Sequence, residues 1–399
     1  MQAASSLLAK VKEAPNRFTW GLWGVLILVI SILVGLQPEK RTVTGPYHDA
    51  VHAWWSRTDI YSHVGNAHEY QYLPQSALFF TPFTWPSLAI GEVLWRWACV
   101  GLLVSALWRL ANLIGGRLKP YHFLLITLLC LPASLSSARN GQFNMPLAAL
   151  LVHAAVDIAE ERWLRAGLML PLAFAFKPLA LPMALVAAVL YPPLRIRILG
   201  GLIAVMAFPY TCAAPDYVTR QYRLFWLKLG AASNPKERFS NLLGIFRTFH
   251  IPMPHAVFMG LALAGGVAVL FLAWRAAKVS RPRQSALFVL ALCSVYLMLF
   301  NPKTETNSYV ILAPSVAAFG VIAWSLLDRK GEGKFLLALS IALGSENFGK
   351  ALFHATDFWF KPIVAILFLG YVCYLIRRGG WTEKEVSAAN GASPVKALA

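Results

Sequence analysis

FTWGLWGVLILVISILVGL, residues 18–36, contains no charged side chain. As a helix it would reach about 28 Å at 1.5 Å per residue, which matches the hydrocarbon depth of a bilayer. Lys10, Lys12 and Arg17 precede it. No small-residue cleavage site follows a short apolar core, so the segment reads as a retained first membrane helix rather than a removed signal.

Working outward, similar apolar runs recur at about 88–111, 120–136, 143–159, 163–176, 179–192, up to 212, 257–276, 284–300, 308–326, 334–348 and 360–377, long enough in most cases to span a membrane. The 399 residues are 58% hydrophobic and only 14% charged, well below the ~25% charged share of soluble domains. The expected fold class is an all-α polytopic membrane protein of about twelve spans, with one transmembrane domain over residues 18–378.

The formal net charge of +18 does not point to nucleic acid, because no basic soluble domain carries it. The basic residues cluster in short connections such as GGRLKP (115–120), YPPLRIR (191–197), RAAKVSRPRQ (275–284) and DRKGEGK (328–334). The positive-inside rule places those loops, the N-terminus (1–17) and a tail (379–399) expected to be disordered in the cytoplasm of a plasma-membrane protein. The long loops 37–87 and 213–256 then face the extracytoplasmic side. Within the second, DYVTRQYRLFWLKL (216–229) reads as an interfacial helix, with aromatic and leucine residues on one face and Arg220 and Lys228 elsewhere, and Arg220 and Arg223 are candidates to line an acceptor or lipid groove. The five cysteines lie in or beside apolar runs without ligand spacing, as core-filling residues do.

Few acidic residues are left for chemistry on the extracytoplasmic side. Asp49 stands out in GPYHDAVHAWW (45–55), between His48, His52 and the aromatics Tyr47, Trp54 and Trp55. An ionised aspartate there can accept a proton from a hydroxyl, and the aromatics can line a groove for an acceptor or a lipid. The alternative is a loop aspartate in a local turn. Asp59 and Glu69 are rivals. A second group gathers at span ends: Arg139, Gln142 and Asn144 in ARNGQFN, Lys177 in FKP, and Lys303, Glu305 and Asn307 in NPKTETNSY. Lys303 and Glu305 could simply pair with each other. Lys177, between LAFAF and PLALPMAL, requires an anionic or carbonyl partner. Cations with Asn and Gln suit a phosphate-bearing, hydroxyl-rich ligand.

No nucleotide-binding, zinc-protease or serine-hydrolase motif is present. No cofactor is expected, with a divalent metal left open: His48, His52, His63 and His68 share one loop, where scattered interfacial histidines are the commoner reading.

TVTGPYHDAVHAWWSRTDIY (42–61), YLPQSALFFTPF (72–83), NGQFN (140–144) and FKPLAL (176–181), in this order after one span, resemble the membrane glycosyltransferases of family 87, alpha-mannosyltransferase-like members of the GT-C superfamily. The resemblance covers about residues 20 to 325. It implies a GT-C-like helix bundle that takes a polyprenyl-phosphate sugar, typically mannose, and transfers it with inversion to a lipid or glycan acceptor. It also implies a catalytic carboxylate in the first outer loop, for which Asp49 is the best-matching position. The spacing from Asp49 to the D-I-Y element is shorter than in the family, and the family's Y-P-P stands here as Tyr72-Leu73-Pro74. Two other classes compete: a secondary transporter, and a ligase or polymerase using diphosphate-linked oligosaccharides. Against the transporter, no internal repeat is visible and the polar residues gather at span ends rather than at mid-span.

Overall fold

The computed structural model describes residues 14–62, 70–115, 121–231 and 239–381. Glu69, His63, His68, the first residues of the N-terminus and nearly all of the tail lie outside the described residues. The described chain is all helical, with no strand. In order the helices are α1 (Pro15–Leu36), α2 (Gly45–Trp55), α3 (Pro74–Phe80), α4 (Leu88–Gly115), α5 (Tyr121–Asn140), α6 (Asn144–Ala159), α7 (Trp163–Phe176), α8 (Leu181–Leu190), α9 (Arg195–Ala207), α10 (Pro215–Ala231), α11 (Leu242–Thr248), α12 (His255–Val279), α13 (Pro282–Phe300), α14 (Ala313–Val321), α15 (Lys330–Ala342), α16 (Lys350–Thr356) and α17 (Phe360–Arg377). Among the described residues, eight helical segments are long and apolar enough to cross a membrane, and α6, α7 and the 178–190 segment are shorter apolar helices. The chain is an all-α, multi-pass membrane protein.

The core is built around α6, every residue of which is buried. It packs between α4, α7 and α13, and its first turn meets the 3₁₀ turn Thr306–Ile311. A helix buried on all sides is largely apolar all round, and between Asn144 and Asp157 every residue of this one except His153 is apolar. Its far end is held by charge: Arg109 Nη2 on α4 donates to Asp157 Oδ1 at 2.5 Å and to Glu160 Oε2 at 3.0 Å. By contrast, α9 and α12 bury little of themselves and present leucines, valines and aromatics outward, as lipid-facing helices do.

Three expectations change. The segment 45–55 is a helix rather than loop; Gly45-Pro46 opens it, and proline fits the first helical turn because its missing N–H has no helical partner there anyway. The run at 334–348 forms only the 13-residue α15, followed by the turn Ser345–Asn347. The chain turns at Gly344, which sits so tightly against Pro132 that a Cβ would collide with it. On α10, Lys228 faces inward rather than outward. It shares the buried face of Gln221 and Phe225, with its ammonium 5.9 Å from the Tyr61 ring. Trp226 and Leu227 point out beside the exposed Arg220 and Arg223.

Candidate functional site

The α5–α6 junction determines what gathers at this end of the bundle. Asn140 closes α5, and Gly141 takes φ +74°, the left-handed turn that commonly ends a helix. Its carbonyl accepts Trp95 Nε1 at 2.7 Å. Gln142 then leaves the turn and Asn144 begins α6.

From there a chain of side-chain amides runs in one direction. Lys177 Nζ, at the break after α7, donates to Asn144 Oδ1 at 2.6 Å. Asn144 Nδ2 donates to Gln142 Oε1, to Asn307 Oδ1 at 3.1 Å and to Ser308 Oγ at 3.2 Å. Gln142 Nε2 and Asn307 Nδ2 both donate to Glu305 Oε2, at 2.7 and 3.1 Å. The Glu305 side chain also accepts the Ser308 backbone N–H in a capping box. An ammonium thus stands at one end, a carboxylate at the other, and every amide between them has its donor and acceptor sense fixed by those charges. Gln142, Asn144 and Asn307 are buried, whereas Glu305 is exposed and Lys177 half-buried. Burial pulls the Lys177 ammonium down to about 8, and the Glu305 charge partly opposes this.

An aromatic wall adjoins the network. Tyr47 on α2 stacks on Phe143 with ring centroids 4.5 Å apart, and its hydroxyl donates to the Tyr72 hydroxyl at 3.1 Å. The Tyr72 ring lies 5.7 Å from Lys177 Nζ. An apolar face with a few converging polar groups is how small-molecule sites are generally built.

A second polar group fixes the entrance to α2. Glu92 Oε1 accepts Thr44 Oγ1 at 2.6 Å and sits 2.9 Å from His48 Nε2. Glu92 Oε2 accepts Arg96 Nη1 at 2.6 Å and Thr42 Oγ1 at 3.1 Å. Arg96 also reaches the Asn140 carbonyl at 3.2 Å. The pair is almost fully buried, so its saturation with partners is what makes it tolerable.

The structure therefore brings Gln142, Asn144, Lys177, Glu305 and Asn307 together, and Tyr47 with them. It divides the rest of GPYHDAVHAWW. Tyr47 and Trp54 lie on the buried face of α2, His48 is tied to Glu92, and His52 and Trp55 are exposed, with Trp55 Nε1 donating to Thr81 Oγ1 at 3.2 Å. Asp49 lies on the exposed side of α2, and among the described residues no hydrogen bond or ion pair engages its carboxylate. Arg139 lies near the like charges of Arg96 and Arg41, and among the described residues its buried Nη1 has no hydrogen-bond partner. Lys303 is half-buried, with its backbone N–H donating to Asn301 Oδ1 at 3.3 Å. Arg220 sits 5.6 Å over the Tyr217 ring, remote in sequence from the network. Among the described residues, no three His, Cys, Asp or Glu side chains group as metal ligands.

Sequence reasoning passes over Phe143, Ser308, Thr44 and the Glu92–Arg96 pair as site components. The signal for the last was present: Glu92 and Arg96 are i and i+4 in an apolar run, on one helical face, where ionisable residues need partners.

Residues 70–302 match glycosyltransferase family 87. No curated protein and no solved structure matches the chain significantly. The matched region holds Tyr72, Gln142, Asn144 and Lys177, while Tyr47, Asp49, Glu305 and Asn307 flank it. As the match covers more than half of the chain, this protein belongs to glycosyltransferase family 87 and is a membrane glycosyltransferase.

Proposed function

We propose that this enzyme transfers a sugar, mannose in the reading we favour, from a polyprenyl-phosphate donor to a lipid or glycan acceptor on the extracytoplasmic side of a bacterial plasma membrane. The carrying observation is the Lys177–Asn144–Glu305 network. Among the described residues Lys177 Nζ has one hydrogen bond, to Asn144, so two of the ammonium's three donors remain there for a phosphate. Gln142, Asn307 and the exposed Glu305 offer the mixed donors and acceptors that sugar hydroxyls need. The basic loops at the opposite ends of the spans support the extracytoplasmic placement.

In this reading the acceptor hydroxyl attacks the anomeric carbon as a carboxylate takes its proton. The bond from that carbon to the phosphate oxygen breaks, and its electron pair leaves with the polyprenyl phosphate, whose growing charge Lys177 stabilises. Attack opposite the leaving group inverts the centre. Asp49, exposed and, among the described residues, unengaged on the helix that carries Tyr47, is the base suggested by the family resemblance. A second reading is favoured by one observation: Glu305 is the carboxylate that belongs to the network. The exposed Arg220 and Arg223 of α10 are left to hold anionic headgroups at the membrane interface.

The test is transfer of radiolabel from polyprenyl-phosphate mannose to membrane lipids by nanodisc-embedded protein. Wild type should transfer and Lys177→Met should not. Loss in Asp49→Asn with retention in Glu305→Gln assigns the base to Asp49; the reverse assigns it to Glu305. Absence of transfer by wild type from this donor, with transfer from a diphosphate-linked oligosaccharide, would overturn the donor assignment.

A further inference from the structure

Glu305 and Asn307 are neighbours of Thr306, and the Thr306 carbonyl is held from an unexpected direction. Lys361 Nζ donates to it at 2.9 Å. Lys361 lies in the first turn of α17, well beyond the family-matched residues. It is 1% exposed, and its ammonium is paired with Glu346 of the 345–347 turn and lies 5.6 Å from the Tyr309 ring. Among the described residues, one oxygen of Glu346, Oε1, is buried with no hydrogen-bond partner.

A pair buried this completely is a poor way to gain stability, since two apolar side chains of similar volume usually serve as well or better. Apolar side chains cannot orient a carbonyl. Other ties reach the same turn: Ser137 Oγ donates to the Asn307 carbonyl at 2.7 Å, Ser240 N–H to the Thr304 carbonyl at 2.7 Å, and Tyr309 Oη to the Ser240 carbonyl at 3.0 Å. Among the described residues, Lys361 is the side chain that holds the Thr306 carbonyl, between Glu305 and Asn307, whose side chains meet on one oxygen of the Glu305 carboxylate.

We propose that Lys361, with Glu346 as its counter-ion, is a positioning residue that sets the Glu305–Asn307 peptide for donor binding. On this view α17 is part of the transfer machinery, although it never touches the sugar. The proposal rests on the reading of the network as the sugar-phosphate site.

The decisive variant removes both charges. Lys361→Met alone strands Glu346 and is expected to unfold or melt early, whereas Lys361→Met/Glu346→Met restores an apolar pair. In nanodiscs the double variant should melt within a few degrees of wild type, yet lose about tenfold or more in kcat/KM for polyprenyl-phosphate mannose, mostly through KM, since small misplacements at a site are costly. Lys361→Arg, which keeps a donor, should recover part of that loss. Wild-type kcat/KM in the double variant would overturn the proposal, as would failure of the double variant to fold, since the pair would then be purely structural. If wild type itself does not use this donor, the donor assignment fails separately. Amide exchange then decides: faster exchange confined to residues 304–309 in the folded double variant supports the positioning role, and unchanged exchange overturns it.

Discussion

Lys177 and Glu305 are joined by an unbroken run of side-chain hydrogen bonds through Asn144 and then through Gln142 and Asn307 in parallel. The middle member has no slack. Asn144 is fully buried, its oxygen serves Lys177 and its nitrogen serves three acceptors. Asn144→Leu keeps the volume and strands polar groups on both sides, at about 1–3 kcal/mol for each group left unsatisfied. We expect lower thermal stability and at least a tenfold loss of kcat/KM. Asn144→Asp should be milder for stability, because the new carboxylate pairs with Lys177, but equally damaging to donor binding, because it cancels the charge that would hold phosphate. Thermal melts and initial rates on the two variants check both halves.

The network also predicts a pH dependence. Burial lowers the Lys177 ammonium from its ordinary range to about 8. If the ammonium binds phosphate, kcat/KM for the donor falls as pH rises through about 8, with the free enzyme setting that midpoint. Stability moves the other way. Between about 8 and the ordinary lysine range the unfolded chain holds a proton that the folded chain has lost, so stability rises with pH across that window. Lys177→Met, which should not transfer, should also lose the stability trend. A rate profile over this range, with melting temperatures taken on the same samples, shows whether the opposed slopes exist.

Most of the helical architecture is legible in one dimension, because apolar runs and basic connections are local signals. Eleven of the expected spans coincide with apolar helices to within a few residues; α15 does not, because Gly344 turns where it meets Pro132, a contact no local pattern reveals. NGQFN, FKP and TETN are each recognisable as polar residues at span ends. Their convergence is not, since Gln142 and Glu305 are brought together by α5 and α6 packing against the 306–311 turn. The division within GPYHDAVHAWW depends on recognising a helix. Once Gly45-Pro46 is taken as its start, Tyr47, Ala50, Val51 and Trp54 fall on one face and Asp49 and His52 on another. Read as a loop, the segment gives no reason to separate Tyr47 from Asp49.

Gly141 offers a backbone test of the junction. Its φ of +74° disfavours any side chain, and a Cβ there would run into the Arg96 guanidinium. Gly141→Ala should cost about 1–2 kcal/mol for the left-handed conformation alone, with a further penalty for moving Arg96 off Glu92. Because Gln142 and Asn144 leave from the same turn, activity should fall more than stability does. The check compares the fractional loss of turnover with the shift in melting temperature.

The Glu92–Arg96 pair acts one step further back, through the placement of α2. Thr42, Thr44 and His48 all close on Glu92, so the pair fixes where α2 begins and hence where Tyr47 meets Phe143. Glu92→Gln keeps the shape and leaves the Arg96 charge buried without its counter-ion, which should destabilise by about 3–5 kcal/mol. Glu92→Leu/Arg96→Leu removes the charge problem and should regain much of that stability. It also releases Thr42, Thr44 and His48 from their common acceptor. Turnover in the double variant should therefore stay well below wild type even where its melting temperature recovers. Full recovery of turnover in that variant would show that α2 is held in place by its apolar face alone, through Tyr47, Ala50, Val51 and Trp54.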